Sequence, residues 1–153
     1  MIERHVHVLW CDDIRLEAGN KPSFMGVYTA GIVVPELPTV LPRLGVYAWI
    51  DTPIGRPFQK ITLRIVRDDG FVLLESTPFG PLGENHPTIR TDGHEMTRHT
   101  VMAGLMIANL EVPSDCKYFN VVVETETEIL EGPKLRISVN PELQLLNSAP
   151  SAH

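Results

Sequence analysis

Cysteine is nearly absent from this sequence, and the two that occur, Cys11 and Cys116, exclude a framework of several disulfides. Residues 1–7 lack the basic end, apolar stretch and small-residue cleavage site of a secretory leader, so a cytoplasmic, reducing setting with both thiols free is expected. No apolar run is long enough to form a helix across a bilayer. Positive charge is scarce as well: 13 Lys and Arg stand against 19 Asp and Glu, for a net charge of −6, and no basic stripe forms. Neither nucleic acid nor a membrane is therefore an expected partner. The chain also lacks a Gly-x-Ser-x-Gly elbow and a glycine-rich phosphate loop, so no catalytic residue and no cofactor is assigned. Internal repeats, low-complexity blocks and a linker between two halves are missing too.

Proline is plentiful. Thirteen prolines in 153 residues disfavour long helices and favour short strands separated by turns. That length suits one domain with an ordinary apolar core, placed at 1–146 and followed by a small, polar, flexible tail at 147–153. The dominant period is two, which is the period of a half-buried strand. Leu44, Val46, Ala48 and Ile50 alternate with Gly45, Tyr47, Trp49 and Asp51. Similar alternation predicts strands at 61–66, 119–124 and 135–139, with further strands at 4–11, 24–34, 71–76 and 97–112. Asp68-Asp69-Gly70 supplies a hairpin turn, and Glu131-Gly132-Pro133 is read as a turn between the last two strands. The 35–42 segment holds three prolines and is expected to cross from one sheet to another. About eight strands then give an all-β fold, a two-layer antiparallel β-sandwich of immunoglobulin-like or C2-like type; a partly closed β-barrel is the alternative.

Cys11-Asp12-Asp13-Ile14-Arg15, with Glu17, Gly19-Asn20-Lys21, Ser23 and Gly26-Val27-Tyr28, resembles the opening of a bacterial family classed as a domain of unknown function. Val34-Pro35, Leu41-Pro42, Thr52-Pro53 and Arg56-Pro57-Phe58 fit the same resemblance, which covers roughly the first half of the chain. It implies a small bacterial β protein and brings no activity, ligand or site residue.

Several constellations can be weighed for chemistry. Strand alternation at 4–11 puts His5, His7, Leu9 and Cys11 on one face and Val6, Val8 and Trp10 on the other, so the two histidines could share a metal. Against this, a solvated strand face explains them equally, with Asp12 and Asp13 starting a turn or capping a short helical segment to Glu17; no metal is assigned. His94 and His99 are five residues apart, which misses the i, i+4 spacing of a zinc-protease helix. Asp12-Asp13, Asp68-Asp69 and Asp92 would make a calcium rim only if their loops met at one end.

The apolar stretch at 100–110 is greasy on both parities: Val101, Ala103, Leu105 and Ile107 on one, Met102, Gly104, Met106 and Ala108 on the other. A strand of that kind is either covered on both sides or offers a methionine-rich face to a partner, and a helix over 95–108 competes with it. Tyr47 and Trp49 form a second outward apolar pair, suited to a protein interface or a sugar ring unless the proline-rich crossover covers them. The expected function is a noncatalytic binding or assembly module that self-associates as a homo-oligomer, or takes a protein or small-molecule ligand, through Tyr47, Trp49, Met102 and Met106. The alternatives are a metal-dependent or hydrolytic enzyme using the 78–99 region with His86, His94, Glu95 and His99, and a carbohydrate-binding module.

Overall fold

A computed structural model describes residues 3–81 and 93–143. Ten strands follow in order among these residues: β1 His5–Glu17, β2 Lys21–Val27, β3 Ile32–Val34, β4 Thr39–Pro53, β5 Ile61–Arg67, β6 Val72–Glu75, β7 Arg98–Val112, β8 Tyr118–Thr125, β9 Ile129–Glu131 and β10 Leu135–Val139. They build two sheets, neither closed into a barrel: β2-β1-β4-β7, and β3-β10-β8-β5-β6 with β9 also paired to β8. All pairings are antiparallel except β3 beside β10, which is parallel.

The two sheets meet through the alternating faces. Leu44, Val46, Ala48 and Ile50 of β4 are buried together with Val6 and Trp10 of β1, and opposite them lie Ile61, Leu63 and Ile65 of β5 and Phe119, Val121 and Val123 of β8. Each large side chain so removed from water contributes about 1.5–3 kcal/mol, which makes this shared layer the main force holding the sandwich. The proline-rich segment does carry the chain from β3 in one sheet to β4 in the other.

One polar group ties the layers at an end of the sandwich. The Arg4 side chain is fully buried, donates to Thr52 Oγ1 of β4 at 3.0 Å and to Thr125 Oγ1 at the end of β8 at 3.3 Å, and pairs with Glu126 Oε1 at 2.5 Å. Its guanidinium also lies 4.5 Å from the centre of the Phe58 ring. A buried cation is tolerable here because its donors are spread over several acceptors.

Five expectations need correction. Asp12–Glu17 is not a turn or a helical cap but the continuation of β1, paired with β2 through Ile14↔Phe24 and Glu17↔Lys21. The polar residues are accommodated because each finds a partner: Tyr28 donates its hydroxyl to Asp12, and Asp13 pairs with Arg43 at 3.2 Å and Arg15 at 3.4 Å. The 24–34 stretch is two strands, β2 and β3, belonging to different sheets. Of the two readings of the next segment, the helix over 95–108 is the one that fails: the strand expected at 97–112 forms as β7, paired with β4 from end to end. A strand absent from the sequence reading, β9, lies beside β8. Finally, Glu131-Gly132-Pro133 does not reverse the chain. Gly132 N–H donates to Val121 O at 3.0 Å, so β9 and β10 run on together along β8, interrupted at Pro133, which has no N–H to give. The reversal itself is made earlier, where Thr125 N–H reaches Glu128 O at 2.9 Å.

Candidate functional site

The outward face of the four-stranded sheet is fixed by register. Residues directly opposite one another in paired strands share a face, so the pairings of β1 with β4 and of β4 with β7 define four cross-strand rows. They are His5, Asp51 and Thr100; His7, Trp49 and Met102; Leu9, Tyr47 and Gly104; Cys11, Gly45 and Met106. Tyr47, Trp49, Met102 and Met106 therefore all lie on this one face; parity within each strand had paired Tyr47 with Trp49 and Met102 with Met106, and the register of β4 on β7 joins the two pairs.

Their exposure differs. Met102 is 61% exposed, whereas Tyr47, Trp49 and Met106 are half-buried. Phe24 of β2 packs edge-on with ring centres 5.1 Å from Tyr47 and 6.1 Å from Trp49, and those two rings lie 4.7 Å apart. The aromatic pair is thus covered in part by Phe24 of β2. Gly45 and Gly104 leave room that larger neighbours occupy: a Cβ at Gly45 would meet Met106 Sδ and Cys11 Sγ, and one at Gly104 would meet the Tyr47 ring. Cys11 is consequently fully buried although it belongs to the outward parity. Burial, then the neighbouring Asp12, pushes its thiol above the ordinary value.

The β7 strand is the edge of this sheet, and among the described residues no strand pairs with its other side. From His99 to Leu110 it carries no Asp, Glu, Lys, Arg or Pro. The remaining edges are shorter: β2 has 7 residues, β3 has 3 and β6 has 4.

At the other limit of the face, a polar cluster closes the rows. His5 Nε2 lies 2.9 Å from Asp51 Oδ2, Thr100 Oγ1 donates to Asp51 Oδ1, and the His5 and His7 rings meet edge to face at 4.7 Å. Asp51 is the group that sequence reasoning missed, since only the register of β1 on β4 brings it to the histidines.

The other candidates separate. Asp69 is taken up by Arg67 and by the Phe71 N–H, and those contacts hold its carboxyl below the usual range. With Asp12 on Tyr28 and Asp13 on two arginines, these aspartates are engaged apart from one another; Asp92 lies outside the described residues. His99 sits on β7 opposite Thr52, so the 94–99 segment is not a helix presenting two histidines. His86, most of the 78–93 stretch and the 147–153 tail lie outside the described residues. An open groove of about 620 Å³ lies elsewhere, between Gly31 and Val33 on one side and Tyr118, Lys134 and Arg136 on the other. Lys134 there is already placed over the Tyr118 ring at 4.4 Å. Among the described residues no helix is long and apolar enough to cross a membrane.

The chain matches no family model and no curated protein.

Proposed function

We propose that this protein is a binding and assembly module whose working surface is the outer face of the four-stranded sheet together with its β7 edge, which no strand among the described residues covers, and that its first partner is a second copy of itself. The observation that carries this reading is β7: a 15-residue edge strand with no charged residue or proline across its central twelve positions. Natural sheets that stay monomeric blunt such edges with charge, proline or brevity, because unpaired N–H and C=O groups are a template for another strand. The absence of those devices, with Met102 exposed beside it, supports pairing of β7 with its equivalent in a two-fold dimer. Main-chain hydrogen bonds would supply the affinity and the flanking apolar face the added burial.

Sedimentation equilibrium on the purified chain tests this directly. The wild type is expected to sediment as a dimer at micromolar concentration. Met102→Glu combined with Ala108→Glu, both at exposed β7 positions, sets like charges against one another across a two-fold strand pair and is expected to give a monomer with unchanged far-ultraviolet circular dichroism. A monomeric wild type, or a dimer that survives both charges, overturns the reading.

A further inference from the structure

The polar end of the outward face points to a second property that is independent of assembly. His5 and His7 are two residues apart on β1 and so project from the same side, while Asp51 stands directly across from His5 on β4. One ligand atom from each of the three lies within 4.8 Å of the others, and this is the one such group among the described residues. We propose that His5, His7 and Asp51 bind a divalent transition metal of the zinc class, leaving at least one coordination position open to solvent.

Donor chemistry and distances both favour it. Two imidazoles and a carboxylate are the mixed nitrogen and oxygen set that zinc and its neighbours take, and three protein ligands leave the fourth position of a tetrahedron for water. Bonds of about 2.0 Å in a tetrahedron put donor atoms about 3.3 Å apart. His5 Nε2 and Asp51 Oδ2 are already at 2.9 Å, so they need to part only slightly around an ion. The remaining adjustment falls on His7, whose exposed ring can turn inward.

The surroundings supply what metal ligands require. Histidines bound to metals donate their second ring N–H to a carbonyl or carboxylate, and ligating carboxylates are themselves hydrogen-bonded. Here His5 Nδ1 lies 3.4 Å from Glu3 O, and the second Asp51 oxygen accepts from Thr100. The one opposing feature is Arg98, whose Nη1 is 3.2 Å from His5 Nδ1. That contact requires Nδ1 as acceptor and so leaves the proton on Nε2, facing Asp51. Metal at Nε2 moves the proton to Nδ1, where it is donated to Glu3 O, and Arg98 retains its own bond to Glu3 O at 3.3 Å. Loading thus exchanges one tautomer of His5 for the other without leaving a polar group stranded.

Isothermal titration of tag-free protein with zinc chloride, repeated with cobalt(II) to read the visible bands, is the test. One ion per chain is expected, with His7→Gln and Asp51→Asn each weakening binding by at least about tenfold, which is the lower end of what losing even an outer partner of a ligand costs. His7 is exposed, so its replacement leaves the fold intact, as thermal melts of the metal-free variants would verify. No binding to the wild type, or undiminished binding to the His7→Gln, Asp51→Asn double variant, overturns the proposal.

Discussion

Arg4 ties the two sheets together from a fully buried position, and nothing in its neighbourhood of the sequence announces it. Its partners Thr52, Thr125 and Glu126 are distant in the chain, and an arginine just ahead of a strand carries no pattern. Removing one member of a buried charge pair costs about 3–5 kcal/mol, and because Glu126 keeps some contact with water the cost belongs at the lower end. Arg4→Ala is therefore expected to lower the free energy of unfolding by about 3 kcal/mol in urea titrations. Burial raises the Glu126 pKa, but the hydrogen bonds from Arg4 and from the Gln59 N–H outweigh it, so the net shift is downward. The sign follows. An acid whose folded pKa is lowered stabilises the native state at pH values above its unfolded value, about 4.3, and that contribution is lost as the pH falls through the folded value. Unfolding curves between pH 6 and about pH 3 should show the loss in the wild type, and Glu126→Gln should flatten that part of the profile.

Elements were legible in proportion to their length and to the contrast between their faces. The alternation in β4, β5 and β8 is written in Leu, Val and Ile against polar residues because one face meets the other sheet. The far half of β1 is not so written. Asp12, Asp13 and Arg15 resemble a cap only until Tyr28, Arg43 and the β2 pairing are seen to satisfy them. With three residues, β9 is too short to display any period. Gly26 shows how tightly this hairpin is specified: its φ is +66°, and a Cβ there would collide with the Asp12 side chain that holds Tyr28. Gly26→Ala is expected to cost about 1–3 kcal/mol, from strain and collision together, read as a lowered urea midpoint with an unchanged slope.

For the whole molecule, the two sheets and their common core could be anticipated, while their register could not. Parity paired Tyr47 with Trp49, Met102 with Met106, and His5 with His7; only pairing across strands joined the first two pairs on one face and brought Asp51 to the histidines. The thiols offer a global probe of this packing. Cys11 is fully buried and Cys116 is 5% exposed, both are free, and burial, with help from Asp68, pushes Cys116 up to about 11. Since the thiolate is the reactive form, both cysteines are expected to resist a disulfide-exchange reagent at neutral pH in the native protein and to react together in denaturant. Rapid labelling of either in the folded state would show that the layer over it opens locally.

The distribution of edges also bears on particle size. Among the described residues a single long border, β7, is left open, while the strands bounding the rest of the two sheets have between 3 and 7 residues. A body with one adhesive side is used up when two such sides meet. On the proposed pairing through β7, raising the concentration should increase the fraction of pairs without producing trimers or fibres, because growth into a filament needs a second, different side on every copy.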